Sequence, residues 1–416
     1  VTYQRRVVAD GCVWEAQGGS LAVDEAGPGA RVVDVTDPFA PQDLGLVTAG
    51  DGVGVTPGHL YWVGVLEDAP SPAGTRAARE LDVEALQGAD YLAIAPIPFH
   101  DAVQELLEHR RSQGLTVAMV DPQAVYDVLG MGQPDPGALH SLVGRLPSLE
   151  YLLLVGDATV ERQGYSGEPG ALRVVTPFTR TKGLGETPAD GLLGTDREGR
   201  PSVAVGRFPA QSVEDVTAMV EKTIRWESGE SVENGRAVLL VQDDGAEFER
   251  AAERIAALLP TEPAVERFEV GEDASRAGLL AALNRGPAWL TYTGHGSLAM
   301  LSDEGYLTSD DGKRWREPAV VLAWTCLAAY YAHPTEESIA EAWLRTPRGG
   351  SVAFLGPVGE TTCREQEPLV RAFYSALSEQ GRLGDAWVDA LRAGQADDVR
   401  WGYTLLGDPA LLVRLD

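Results

Sequence analysis

AWLTYTGHGS (288–297) and AVVLAWTC (319–326) are two apolar runs that each stop abruptly in small or polar residues. Each run has the length and the β-branched or aromatic content of a buried strand. Open α/β sheets build their sites at the carboxyl ends of such strands. The sequence therefore predicts that His295 and Cys326 are delivered to the same edge of a parallel sheet.

A thiol and an imidazole at one sheet edge form a plausible nucleophile and base. A cysteine thiol of pKa about 8.5 is only slightly ionised at neutral pH, and a neighbouring imidazole can remove its proton. Gly294 and Gly296 flank the histidine without a Cβ, which lets a substrate carbonyl approach the backbone and leaves the Gly296 N–H to hold an oxyanion. The alternative is a core cysteine and a loop histidine that never meet.

An ordered set of motifs carries a family resemblance. GHGS closes one strand, a cysteine closes the next, and GGSVAFLG (349–356) and YTLLGDPALLV (403–413) follow. Together they resemble the gingipain-like cysteine peptidases of family C25, which share their core with caspases, legumains and separases. The likeness covers roughly residues 88–416 and includes three upstream segments: the strand–helix–strand stretch 91–121, YLLLVGDA (151–158) and the strand–helix stretch 202–227.

The resemblance implies an endopeptidase that works through a thioester acyl-enzyme without an organic cofactor. His295 would be the general base or acid and Cys326 the nucleophile, and the N–H groups of Gly296 and Cys326 would form the oxyanion hole. Protein or peptide substrates follow from this activity, and the resemblance also implies export to a secreted or cell-surface location in a bacterium.

Several carboxylates are candidates for the remaining roles. Glu186 and Asp157 are equal candidates for orienting the histidine through its second ring nitrogen. Asp190 is a further candidate, and by resemblance it would be the base of a primary pocket that prefers Arg or Lys. Trp324 would form a wall of that pocket and Thr293 would line the cleft. The pattern departs from Arg-specific gingipains at Trp324, where they have a smaller residue, and in a missing aromatic residue within 356–362.

Two rival functions remain open at this stage. A transpeptidase with the same dyad, like the gingipain-like sortase of a bacterial secretion system, would transfer the acyl group to an amine instead of water. A catalytically inactive module that keeps the caspase-like core would only bind a partner, and its expected signature is loss of the cysteine or the histidine. Neither residue is lost here.

Composition limits the partners. Thirty-four basic and sixty-two acidic residues give a net charge of −28, which disfavours nucleic acid and anionic membranes. Three cysteines are too few for a disulfide scaffold, and no spacing indicates structural zinc. We expect no membrane span, since no apolar run approaches 18 residues, and no signal peptide begins the sequence. SDDG (309–312) could hold a structural calcium ion, but an ordinary turn is the preferred interpretation.

Periodicity divides the chain into three parts. Residues 1–87 read as short strands broken by turns and predict a small β-rich domain. Strands and helices then alternate, which predicts α/β parallel sheets flanked by helices in two caspase-like subdomains, A over 88–232 and the catalytic subdomain B over 233–416. The Pro/Ala/Gly-rich segment 69–82 carries Arg76 and Arg79. It reads as a linker, and after cleavage there the N-terminal part would be a propeptide or an autoprocessed segment.

Overall fold

A computed structural model gives the architecture of most of the chain. Two compact units are present, residues 1–77 and residues 78–416. The sequence predicts that the rest divides into 88–232 and 233–416. In the structure one sheet runs through both ranges, so this division into subdomains stays a prediction. The structure describes residues 5–8, 12–37, 40–69, 76–161, 172–229, 237–259, 265–271, 273–377, 380–393 and 396–412.

The first unit is β-rich, as predicted. Its strands form a three-stranded sheet in the order β1-β3-β6 and a four-stranded sheet in the order β2-β7-β4-β5. Alternate residues of β4 and β7, among them Val32 and Val63, are fully buried, which is the pattern of strands with one face on a small core. The strands are β1 (Arg5–Val8), β2 (Cys12–Glu15), β3 (Ser20–Glu25), β4 (Ala30–Asp34), β5 (Gln42–Leu46), β6 (Gly52–Gly54) and β7 (Leu60–Val65).

The second unit alternates strands and helices. Its strands are β8 (Tyr91–Ile94), β9 (Val117–Val120), β10 (Tyr151–Val155), β11 (Phe178–Thr181), β12 (Gly185–Pro188), β13 (Ala204–Phe208), β14 (Val238–Gln242), β15 (Val265–Glu269), β16 (Trp289–Thr293), β17 (Met300–Leu301), β18 (Leu307–Thr308), β19 (Ala319–Trp324), β20 (Ser351–Pro357) and β21 (Tyr403–Leu406). Its helices are α1 (His100–Ser112), α2 (Pro122–Leu129), α3 (Pro136–Val143), α4 (Val213–Ser228), α5 (Ala246–Leu258), α6 (Asp273–Leu283), α7 (Ile339–Arg345), α8 (Cys363–Leu377), α9 (Leu383–Arg392) and α10 (Asp397–Arg400).

One ten-stranded sheet organises this unit, in the order β15-β14-β16-β19-β20-β21-β13-β10-β8-β9. Neighbours are parallel except at one place, where β21 is antiparallel to β20 while it is parallel to β13. The five strands on the β20 side therefore run opposite to the five on the β21 side. Their carboxyl ends lie at opposite edges of the sheet, a reversal that strand–helix alternation alone does not predict.

Helices cover both faces of this sheet. Successive residues of a strand point to opposite faces, so the residues of one strand divide between two core clusters. In β14, Leu239 and Val241 join the core cluster that also contains residues of α1, α4 and α7. Val238 and Leu240 join the cluster on the other face, with α5, α8 and α9. All four side chains are almost completely buried, so both faces of this strand are core, as expected for a parallel sheet between helix layers.

Candidate active site

The apolar runs at 288–297 and 319–326 form neighbouring parallel strands, β16 and β19. Their last residues, Thr293 and Trp324, are partners in the register, and the Gly294 N–H donates to the Trp324 carbonyl at 3.3 Å. His295 and Cys326 each follow two residues after this last pair. They therefore leave the same sheet edge side by side, with His295 exposed and Cys326 half-buried.

Close packing explains both glycines of the GHG motif. A Cβ on Gly294 would lie 2.4 Å from the Asp243 Cβ and 2.4 Å from the Tyr292 hydroxyl. A Cβ on Gly296 would lie 2.3 Å from the Thr325 Oγ1 and 3.1 Å from the Cys326 carbonyl oxygen. Real Cβ atoms do not approach other atoms this closely, so the motif keeps glycine for contacts inside the protein, in addition to the substrate access that the sequence suggests.

The Cys326 thiol is held by the segment that follows β20. Its Sγ donates to the Thr361 carbonyl oxygen at 3.3 Å. Burial raises the pKa of Cys326, and the negative charge of Glu360 raises it further. The thiol proton in this state points to a backbone carbonyl, so transfer to an imidazole requires the side chain to turn, a change that substrate binding commonly supplies.

The backbone around the thiol is tightly fixed. Leu327, the next residue, has a φ of 59°, a left-handed conformation that a non-glycine residue adopts at some cost. Its N–H donates to the Gly359 carbonyl at 3.2 Å. The Gln366 side chain, from the first turn of α8, donates to the Thr325 carbonyl and to the Thr361 hydroxyl, both at 2.9 Å. The segment 359–366, far from β19 in sequence, thus holds the end of β19 in one conformation.

In the described part of the chain, two backbone N–H groups near the strand ends make no hydrogen bond. Among the backbone hydrogen bonds of the described residues, neither the Gly296 N–H nor the Cys326 N–H finds a partner. Unpaired donors in a half-buried place are suited to a developing oxyanion.

The main chain of His295 is bound on both sides. Its N–H donates to the Asp243 carboxylate at 3.0 Å, and its carbonyl oxygen lies 2.6 Å from the Tyr292 hydroxyl. The Ser302 N–H donates to the same carbonyl at 2.8 Å. The imidazole ring contacts the Phe248 ring edge-on, with the ring centroids 5.0 Å apart. Sequence reasoning missed Asp243, although an acid two residues after the apolar run 237–241 was a visible signal.

The carboxylates chosen from the sequence make no hydrogen bond to the His295 ring among the described residues. Asp157 follows β10, whose carboxyl end is at the opposite edge of the sheet, and it binds Gln211 and Arg345 instead of the histidine. Glu186 is exposed on β12, a hairpin strand. Within the part of the chain that the structure describes, neither makes a hydrogen bond to the His295 ring. For Asp157 the reason is strand direction, which puts the end of β10 at the opposite edge of the sheet.

Asp190 also differs from the expectation. Its carboxylate is buried and receives both Nε (2.7 Å) and Nη2 (2.8 Å) of Arg207 in a forked pair. The same guanidinium donates to the carbonyls of Gly156 and Val174. The Asp190 carboxylate is therefore satisfied by the chain's own arginine and is not open to a substrate side chain.

Trp324 and Thr293 are core residues. Trp324 is 1 % exposed, and its ring packs with Phe373, Tyr374 and Tyr403. The family resemblance predicted a pocket wall, but in the pleated strand its side chain points to the helix layer. Thr293 is equally buried, so it does not line an open cleft.

The described residues contain no cluster of three or more His, Cys, Asp or Glu side chains that could hold a metal ion. In the SDDG segment, Asp310 pairs with Lys313 and Asp311 with Arg276 and Thr308. These carboxylates form ion pairs and cap a helix, and calcium binding stays a prediction.

In the described residues no helix has the length and apolar character needed to cross a membrane.

The model of peptidase family C25 matches residues 84–414. No curated protein matches the sequence significantly. Among solved structures, the complex of the pro- and mature domains of Porphyromonas gingivalis RgpB is similar, with a TM-score of 0.63 and 17 % identity over 78 % of this chain and 80 % of that one.

The Arg-specific cysteine proteinase gingipain R is similar with a TM-score of 0.61 and 17 % identity over 79 % of this chain and 78 % of that one. A structure described only as a protease has a TM-score of 0.63 and 16 % identity, covering 80 % of this chain and 82 % of that one. At these identities the structural likeness shows the fold alone.

Proposed function

The chain belongs to peptidase family C25 and is a cysteine peptidase, and on that premise we propose that it is an endopeptidase that uses Cys326 and His295 as its catalytic dyad. The observation that carries the proposal is the register of β16 and β19, whose ends bring the two residues out side by side. The exposure of the imidazole and the half-burial of the thiol fit a site that accepts a peptide from solvent.

The proposed reaction has two halves. The His295 imidazole takes the thiol proton, and the Cys326 sulfur attacks the substrate carbonyl carbon. The oxyanion forms against the N–H groups of Gly296 and Cys326, which find no acceptor among the described residues. The imidazolium gives its proton to the leaving amine, which departs and leaves a thioester. Water, deprotonated by the same imidazole, then hydrolyses the thioester and frees the thiol.

Substitution of the dyad tests this proposal. Cys326→Ala should abolish peptide hydrolysis, and His295→Ala should lower kcat by at least about a thousandfold. Cys363→Ala is the matched control, since Cys363 is a second half-buried thiol in the same region and has no catalytic role in the proposal. An electrophilic peptide should label Cys326 in the native protein and not in His295→Ala. Equal labelling of the two proteins would contradict activation of the thiol and favour a noncatalytic binding module.

We also propose a preference for Arg or Lys before the scissile bond, with Glu360 as its basis. Glu360 is exposed, and it lies close enough to Cys326 for its charge to raise the pKa of the thiol. Within the described residues it has no ion-pair partner, whereas Asp190 is fully paired. A substrate guanidinium or ammonium beside Glu360 would supply the missing partner and relieve the unfavourable effect on the thiolate.

A peptide panel tests the preference. Arg and Lys peptides should be cleaved at least about tenfold better than Leu or Ala peptides, and Glu360→Gln should remove most of this difference. Glu198→Gln, at another exposed position, should leave it unchanged. If the native protein cleaves Arg and Lys peptides no faster than Leu peptides, the proposed preference is wrong.

Added amine nucleophiles in the same assay separate hydrolysis from the sortase-like alternative. A transpeptidase would yield aminolysis products in preference to the acid.

The N-terminal unit is proposed to be a propeptide or autoprocessed segment of an exported enzyme. Two observations support this proposal. Residues 1–77 form a separate compact β-rich unit, and the segment 69–82 at its end contains Arg76 and Arg79. Within that segment 70–75 lie outside the described residues, and Arg79 contacts Asp121. Incubation of the active protein should produce a new amino terminus within 70–82, and the Cys326→Ala protein should produce none. Absence of that terminus in the active protein would dispose of the idea.

A further inference from the structure

Asp243 is a buried carboxylate beside the histidine. It follows β14, the strand next to β16, and its N–H donates to the Thr293 carbonyl at 2.9 Å, so the strand pairing continues to the end of both strands. The residue is 6 % exposed. No cation pairs with its carboxylate within the residues described. Because a buried carboxylate without a cation is costly, it is retained only where its hydrogen bonds serve another purpose.

Among the described residues, every hydrogen bond to this carboxylate comes from the turn around His295 or from its own neighbour. Oδ2 accepts the His295 N–H at 3.0 Å and lies 3.1 Å from the Tyr292 hydroxyl. Oδ1 accepts the Asp244 N–H at 3.0 Å. The carboxylate thus connects the end of β14 with the residue that carries the imidazole.

Tyr292 completes the connection from the other side of the histidine. Its hydroxyl lies 2.6 Å from the His295 carbonyl oxygen. Burial, and then the Asp243 charge, raises the pKa of Tyr292 far above its usual range, so the hydroxyl keeps its proton at any working pH. With that single proton it donates to the His295 carbonyl or to the Asp243 carboxylate. The peptide groups before and after the histidine Cα are therefore fixed by one pair of side chains.

We propose that Asp243 and Tyr292 are positioning residues that hold the His295 backbone in the conformation that presents its imidazole to Cys326. The inference rests on the proposed function and deepens it, since the role of orienting the histidine falls to a pair that acts on its main chain. Gly294 fits this arrangement, because a side chain there would occupy the space of the Asp243 Cβ and the Tyr292 hydroxyl.

Steady-state kinetics of three variants test the pair. Asp243→Ala should lower kcat about 10- to 100-fold with KM changed by less than about threefold, because substrate binding does not involve this residue. Asp243→Asn keeps an oxygen acceptor for the His295 N–H and should recover at least about half of the lost kcat on a logarithmic scale. Tyr292→Phe should fall between the native protein and Asp243→Ala. Asp244→Ala, an exposed neighbour with the same loss of charge, is the control and should behave as the native protein.

A second readout separates failure of this inference from failure of the proposed function. If the native protein hydrolyses no peptide, the proposed function fails, but the rate at which iodoacetamide alkylates Cys326 can still be followed by mass spectrometry. Asp243→Ala should slow that alkylation, by less than His295→Ala does, because the imidazole is displaced and not removed. If Asp243→Ala does not fold, Asp243→Asn and Tyr292→Phe decide the matter.

Three results would overturn the inference. One is a folded Asp243→Ala with native kcat and native alkylation rate. Another is Asp243→Asn as impaired as Asp243→Ala, since a retained acceptor would then have no effect. The third is a Tyr292→Phe variant indistinguishable from the native protein in both measurements.

Discussion

At the scale of single residues, Gly294 is the position where catalysis and packing are most directly linked. Gly294→Ala would place a methyl group 2.4 Å from both the Asp243 Cβ and the Tyr292 hydroxyl. Those two side chains must move, which costs about 1–3 kcal/mol of stability. A displacement of the histidine near 1 Å should lower kcat/KM about 100-fold. Kinetics and urea unfolding measure the two effects.

The matched control is Gly381→Ala, because an added Cβ there meets no atom within 4 Å and the backbone is not left-handed. It should leave activity and stability close to native. A Gly294→Ala enzyme with native kcat/KM would show that the turn can relax without moving the imidazole.

The roles of some single residues could not be predicted from the sequence. The GHG motif and the strand-ending cysteine could be found because each is local, and the structure places them at one sheet edge. Asp190 could not be assigned, because its partner Arg207 is 17 positions away and becomes a partner only through the fold. For the same reason Asp243 was passed over, since its contact with His295 spans 52 positions.

At the scale of elements, α7 is tied to the sheet by a buried charge cluster. Arg345 at its end donates to Asp157, Glu337 and Glu341, and the second oxygen of Glu341 caps the helix through the N–H and hydroxyl of Ser338. Burial, and then the nearby Asp157 charge, raises the pKa of Glu341 to about 8, while Arg345 opposes the shift. Burial raises the pKa of Asp157 in the same direction.

This cluster predicts stability that falls as the solution becomes alkaline. Between its unfolded pKa near 4.5 and its folded pKa near 8, Glu341 holds a proton in the folded protein that it has lost in the unfolded chain. The stabilisation is therefore complete below about pH 4.5 and is lost as pH rises through about 8. Urea unfolding between pH 5 and pH 8.5 should show this decline.

Substitution at Glu341 should isolate the effect. Glu341→Gln removes the titrating group and keeps an acceptor for Ser338, so its stability should fall less steeply with pH than that of the native protein. Glu337→Gln, at a half-exposed partner of the same arginine, should retain the native slope. Equal slopes in the native protein and Glu341→Gln would assign the pH dependence to other groups.

Elements were the part of the fold that sequence predicted best. Helix α4 begins with a capping box, in which the Ser212 hydroxyl accepts the Asp215 N–H and the Asp215 carboxylate accepts the Ser212 N–H, and it ends at Gly229 with a φ of 81°. These signals are local, and the strand–helix stretch 202–227 noted in the sequence agrees with them. Strand direction is not local, and the reversal between the halves of the sheet was missed.

At the scale of the whole molecule, the C-terminal strand joins the two halves of the sheet. β21 lies between β20 and β13, so the last part of the chain fills the centre of the sheet and not an edge. The residue Asp408, just beyond it, accepts Nε and Nη2 of the buried Arg110 at 3.0 and 2.9 Å. Arg110 also donates to Glu227 at the end of α4. The terminus cannot be placed from sequence periodicity, because a short apolar strand fits an edge or a centre equally well.

This connection predicts a global effect of one substitution. Asp408→Ala leaves the buried guanidinium of Arg110 with Glu227 as its remaining carboxylate partner among the described residues, and removal of one member of such a network costs about 3–5 kcal/mol. Since β21 links both halves, backbone amides of β10 and of β16 should lose hydrogen-exchange protection together. Asp397→Ala, at an exposed ion pair on α10, should change little. Faster exchange in β10 alone, with β16 unaffected, would show that the halves unfold separately and that β21 does not couple them.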